Sequence, residues 1–147
     1  MLGKIFDPRR IKMDLSGTTK TDVFGELVGI IAASDPKFDR EKMLEAVISR
    51  ENKMNTVILP GVAVPHGYYN TVKGMIGAIG FSREGVGYDS QEQDPVHLFV
   101  LLLMDEKSRE QHLQALSRLL ECLNSAAIAE ICEKGTPREL YDLLCCF

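Results

Sequence analysis

The sequence has no tryptophan, only three histidines, and no apolar run of the roughly 18 to 20 residues a bilayer span requires. No transmembrane anchor is expected, and Met1-Leu2-Gly3-Lys4-Ile5 lacks the apolar core of a signal peptide, so a cytosolic protein without membrane insertion is expected. Basic excess is missing too. With 17 Lys and Arg against 21 Asp and Glu, the chain carries a net charge of −4, and its cations are dispersed. No phosphate-backbone footprint results, and no nucleic-acid partner is expected. Cysteine is absent before Cys122. The four thiols, Cys122, Cys132, Cys145 and Cys146, form neither a Cys-x-x-Cys knuckle nor a spaced disulfide framework. They read as buried thiols, with Cys145 and Cys146 near the end open to exposure and oxidation. Internal repeats and low-complexity segments are also missing. What remains is 147 residues of ordinary composition, enough for one domain over 1–147 with its own core.

Periodicity divides that domain into helices and strands. Thr19-Lys20-Thr21-Asp22 looks like a helix start, followed by Val23, Phe24, Leu27, Val28 and Ile31 at helical spacing until Ser34-Asp35-Pro36. Gly25 and Gly29 share one face of this helix, which predicts close packing against a sheet. Asp39 is an N-cap candidate for a second helix with Met43, Leu44, Val47 and Ile48 on one stripe, so Arg50-Glu51 falls at its C-terminal end. Strand-like runs follow over Val57 to Val64, Val72 to Phe81 and Val96 to Met104. The last is almost wholly apolar, as a strand covered on both faces must be. Gly74, Gly77 and Gly80 fit neither G-x-G-x-x-G nor a P-loop and read as close backbone packing. Gly85 and Gly87 mark a turn.

The last third is punctuated by Ser108-Arg109-Glu110-Gln111 and Thr136-Pro137-Arg138-Glu139, which both read as capping boxes. Between them Ser125 opens a helix bearing Ile128 and Ile131, and Gly135 closes it as a C′ residue. Helices before, between and after the strands imply a layered α/β domain, a three-layer α/β/α sandwich around a mixed sheet.

Chemistry concentrates in Gly61-Val62-Ala63-Val64-Pro65-His66-Gly67. Small and β-branched residues favour a strand, Pro65 ends ladder pairing, and Gly67 lets the chain turn. His66 then sits at a strand exit as a reactive imidazole, a nucleophile near neutral pH when one ring nitrogen is held and the other is free. A polar turn histidine is the plain alternative. His112 falls in the first turn of the helix opened at Ser108, where the helix dipole favours a neutral ring, and lies within the stripe of Leu116, Leu119 and Leu123. Its alternative is a half-buried histidine satisfied by a carbonyl. His97, inside the apolar strand, reads as a hydrogen-bonded structural residue.

Taken in order, Arg50-Glu51, Thr56, the Gly61–Gly67 segment, Asp94-Pro95-Val96 and His112-Leu113 with Leu116, Leu119 and Leu120 resemble the enzyme IIA domain of the bacterial phosphoenolpyruvate-dependent sugar phosphotransferase system. The fructose-mannitol class with its nitrogen-regulatory relatives is the nearest pattern. The resemblance implies a phosphoryl carrier: His66 as acceptor, His112 as the neighbouring imidazole donating to phosphoryl oxygens, and Arg50 as the cation beside the pocket. It also implies a histidine-containing phosphocarrier protein as donor and an enzyme IIB component as acceptor, with no cofactor. Glu51 reads as solvated or locally paired.

Three positions depart from the pattern. Thr56-Val57 stands where a Thr-Gly step is usual, Tyr68 where a basic residue often follows, and Met104-Asp105 where a proline tends to come. They imply a differing partner surface. A regulatory module with protein partners, in place of sugar transport, is the second reading. A third, a metal site of His66, His97 and His112, lacks ligand spacing and a carboxylate.

Overall fold

The computed structural model describes residues 1–88 and 94–147. Two 3-10 turns (Leu2–Lys4, Pro8–Arg10) lead into β1 (Ile11–Lys12), α1 (Lys20–Ala32) and α2 (Arg40–Glu51). Then come β2 (Val57–Leu59), β3 (Val62–Ala63), β4 (His66–Tyr68), β5 (Met75–Val86), β6 (Val96–Met104), α3 (Arg109–Leu123), α4 (Ala127–Lys134) and α5 (Pro137–Leu144). The strands make one mixed sheet in the order β1-β5-β6-β3-β2, with β4 also pairing β6. β5 runs antiparallel to β6, whereas β3 and β4 run parallel to it.

β6 is the spine, and alternation along it builds both cores. Leu98, Val100, Leu102 and Met104 pack with Ala115 and Leu119 of α3, Cys132 of α4 and Leu140 and Leu144 of α5. Phe99, Leu101 and Leu103 pack with α1 and α2. This is the expected α/β/α sandwich with a mixed sheet. On α1, Val23, Phe24, Leu27, Val28 and Ile31 are all at most 1% exposed, and each such burial contributes about 1.5–3 kcal/mol. The predicted caps at Thr19, Asp39 and Thr136 form, accepting the backbone N–H groups of Asp22, Lys42 and Glu139 respectively.

Several local expectations change. The run 57–64 is a hairpin instead of one strand, because Gly61 takes φ 79 between β2 and β3. Pro65 interrupts pairing for a step instead of ending it: β3 and β4 hold one register against β6, so His66 opens a short strand. β5 begins at Met75 and continues past Phe81, with Gly85 at φ 83 inside a bulge opposite Val96. Gly25 and Gly29 face the Arg40 side chain of α2, not the sheet; Arg40 Nη2 donates to the Gly25 carbonyl at 3.0 Å. Gly135 is extended (φ −86, ψ 179) rather than left-handed, and a Cβ there would come within 2.6 Å of the Ile131 carbonyl oxygen. Cys122 and Cys132 are buried, which pushes both thiols up to about 11, while Cys145 and Cys146 are exposed. No helix among the described residues is long and apolar enough to cross a membrane.

Candidate functional site

The site forms where β4 lies between α2 and α3. Gly67 permits this, since a Cβ there would stand 2.8 Å from the Ala46 carbonyl carbon of α2. Side chains alternate along a strand, so His66 and Tyr68 project to the other face, toward α3. In extended backbone the N–H and C=O of one residue point the same way. Val64 N–H reaches the Thr56 carbonyl at 2.9 Å, just where β2 begins, and this leaves the Val64 carbonyl on that side without a ladder partner. His66 Nδ1 fills the vacancy at 2.9 Å. A carbonyl only accepts, so Nδ1 carries the proton and the Nε2 lone pair is left uncommitted.

His66 opens into a pocket of about 250 Å³ shared with Arg50, Asn55, Thr56, Leu116 and Leu120. Burial, and then the nearby Arg50 guanidinium, lower its pKa from the usual 6.5, partly offset by the Val64 bond and the Glu51 carboxylate. A neutral, nucleophilic ring is therefore favoured. Arg50, in the last turn of α2, donates from Nη1 to the Met54 carbonyl at 2.9 Å, which folds the α2–β2 loop around the pocket. Ile58 and Leu120, which line this pocket, are exposed by 38 and 41%, and Met54, Tyr68 and Leu113, on the loop, strand and helix that supply its other lining residues, by 69, 45 and 69%. Apart from Met1, these are all the large apolar side chains exposed among the described residues. Such clustering marks a contact surface.

Arg50 and His66 are thus brought together as the resemblance implied, whereas His112 is not among the pocket-lining residues. It lies in the first turn of α3, one turn before Leu116, and is 4% exposed. Its Nε2 is 3.4 Å from Asp105 Oδ1, and neither ring nitrogen has an aligned hydrogen-bond partner. The capping box predicted at Ser108 does not form. Ser108 makes no side-chain cap; its own N–H donates to Asp105 Oδ1 at 3.2 Å, and Gly74 N–H donates to Oδ2 at 3.0 Å. These bonds hold the Asp105 carboxyl below its usual range. Glu51 is buried rather than solvated, accepting from the Thr56 hydroxyl at 2.8 Å.

His97 lies toward the other end of β6, with Nδ1 against the Ser82 carbonyl at 2.8 Å, as a structural histidine should. Among the described residues no group of His, Cys, Asp and Glu is placed to hold a metal ion.

Comparison with known proteins adds the lineage. Residues 4–145 match the family described as phosphoenolpyruvate-dependent sugar phosphotransferase system, EIIA 2. The fructose-specific EIIABC component of Bacillus subtilis is 34% identical over 91% of the chain, which spans only 21% of that relative. The nitrogen regulatory protein of Pseudomonas aeruginosa is 26% identical over 97% of the chain and 94% of its own length. The crystal structure of nitrogen regulatory protein IIA-Ntr from Neisseria meningitidis superposes with a TM-score of 0.86 at 29% identity, covering 97% of this chain and 98% of that one. The mannitol enzyme IIA of Escherichia coli, solved in complex with phosphorylated enzyme IIB, shares the fold at TM-score 0.77 and 19% identity, covering 97% of this chain and 99% of that one.

Proposed function

The chain belongs to the EIIA 2 family of the phosphoenolpyruvate-dependent sugar phosphotransferase system, and from that premise we propose that it carries a phosphoryl group on His66 Nε2. The family acts in phosphoryl transfer. The observation that carries the assignment is the bond from His66 Nδ1 to the Val64 carbonyl, which leaves Nε2 as the ring's nucleophilic atom in a pocket shared with Arg50.

In the forward step the Nε2 lone pair forms a bond to phosphorus as the phosphorus–nitrogen bond of a donor phosphohistidine breaks. The donor imidazole leaves with that electron pair. No proton need be lost from His66, because Nδ1–H stays on Val64. The second step reverses these roles toward the thiolate of an enzyme IIB component. Such exchanges need alignment and charge stabilisation more than acid–base chemistry. Arg50 spends one of its five N–H donors on Met54 and keeps the rest for phosphoryl oxygens. His112 is assigned the second donor, supported by the unspent hydrogen-bonding capacity of its ring. The apolar rim is where the donor and acceptor proteins would seat.

Incubation with enzyme I, the phosphocarrier protein and phosphoenolpyruvate should leave an acid-labile phosphate. The label should vanish in His66→Ala and persist in His97→Ala; equal labelling of the two variants overturns the assignment.

A regulatory role, in which phosphorylation sets the choice of a protein partner, is favoured by one observation. The chain superposes on IIA-Ntr of Neisseria meningitidis at a TM-score of 0.86 and 29% identity, against 0.77 and 19% for the mannitol enzyme IIA. A deletion strain with normal sugar uptake and altered nitrogen responses supports regulation. Loss of uptake of one sugar supports transport.

A further inference from the structure

Glu51 is a carboxylate whose side chain is only 2% exposed, at the junction of α2 with the loop that closes the pocket. Burying a charge so completely is unfavourable unless several donors meet it. Here Oε2 accepts from the Thr56 hydroxyl at 2.8 Å and Oε1 from the Thr56 N–H at 3.3 Å, while Lys20 Nζ of α1 stands 3.7 Å from Oε1. The two bonds grip Thr56 by side chain and backbone together. What Thr56 does next gives the grip a purpose. Its carbonyl accepts the Val64 N–H at 2.9 Å, and the Val64 carbonyl accepts His66 Nδ1–H at 2.9 Å. A series of polar contacts, the longest the 3.7 Å between Lys20 and Glu51, thus runs from α1 to the imidazole.

We infer that Glu51 is a positioning residue for His66: by clamping Thr56 it fixes the Thr56–Val64 pairing, and with it the carbonyl that holds the imidazole in its Nδ1–H tautomer. This rests on His66 being the phosphoryl acceptor. Without the clamp, the loop keeps the Asn52 and Lys53 N–H groups on Ile48 and Arg50 and the Arg50 side chain on Met54, but Thr56 itself loses its tie to α2, and the Val64 carbonyl can swing away from the ring. The Nε2–H tautomer, which has no lone pair at Nε2, then gains population. A buried helix-to-strand staple would stabilise the loop equally well, so stability alone does not separate the two roles. Ring spectroscopy does. The Glu51 carboxylate also favours a protonated His66, opposing burial and Arg50, so its charge reaches the ring directly.

The test is Glu51→Gln, which keeps size and removes charge, with the His66 ring nitrogens followed by NMR in the unphosphorylated chain and the phosphorylation rate measured in parallel. Expected are a lower His66 titration midpoint, a smaller share of Nδ1–H tautomer and a rate reduced about tenfold, the scale of a modest misplacement of a reacting group. Thr56→Val should reproduce the tautomer and rate changes, and Thr56→Ser, which restores the hydroxyl, should recover both. If Glu51→Gln does not fold, the Thr56 pair decides: a valine variant with the parent's ring signature and rate overturns the inference. A folded Glu51→Gln with both unchanged does the same. If the parent chain itself takes no label on His66, the carrier assignment fails instead.

Discussion

His66 and His97 make the same bond at opposite ends of the sheet. In each, Nδ1 faces a backbone carbonyl, of Val64 at 2.9 Å and of Ser82 at 2.8 Å. Five residues of β6, about 17 Å of strand, separate His97 from the position opposite His66. A fixed tautomer alone therefore does not distinguish the two rings. The surroundings differ instead. His66 shares a small pocket with a guanidinium and with the exposed apolar side chains of Ile58 and Leu120. His97 lies against Gly85, where a Cβ would come 3.0 Å from Nε2, beside a wider crevice of about 760 Å³ lined by Leu59, Val62, Phe81 and Ile128. One end presents an imidazole to a pocket beside exposed apolar side chains; the other uses the same ring to close a bulge.

The contrast should break most visibly at the arginines. Arg50→Ala is expected to lower the rate of phosphorylation by about a hundredfold or more, the scale of removing one preorganised donor from a developing anion. Arg83→Ala, at the His97 end, should leave the rate at the parent value in the same assay. A smaller effect, on stability alone, is expected from Gly85→Ala. A side chain at φ 83 is strained by about 1–2 kcal/mol and would crowd His97 as well, so urea midpoints should fall while labelling of His66 persists.

The smallest effect is the pH response. His66 has its pKa lowered from 6.5 by burial and then by Arg50, so between that lowered value and 6.5 the unfolded chain binds more protons than the folded one. Stability attributable to this group is complete above 6.5 and declines as the pH falls through the window. Titration of the His66 ring by NMR should give a midpoint below 6.5, and the phosphorylation rate should decline only below that midpoint.

How far these features were legible depended on whether a neighbour in sequence or a neighbour in space decided them. Pro65, His66 and Gly67 are local signals, and a strand does lead into them, but the turn expected at Gly67 is overturned: Gly67 lies within β4, where its missing Cβ admits the Ala46 backbone. The helix start beneath His112 was also legible, but its cap was not: Asp105, fixed at the end of β6, takes the Ser108 N–H that a capping box would leave to the helix. The Gly85 bulge looked like a turn because Arg83-Glu84-Gly85 has turn composition, and only pairing with β6 keeps it in β5. Glu51 read as solvated or locally paired, and the structure shows the second, buried against Thr56 five positions on. Nothing local announces Lys20, more than thirty positions upstream in the chain, as its partner.

The missing methyl at Gly67 acts as a spacer gauge. It sets how near the helix bearing the guanidinium stands to the strand bearing the imidazole, since any carbon placed there would push against the main chain at Ala46. Two groups that never share a bond thus have their separation tuned by one hydrogen atom on the far side of the strand. Homologous chains that change this residue would have to retune their chemistry elsewhere to keep the same reach.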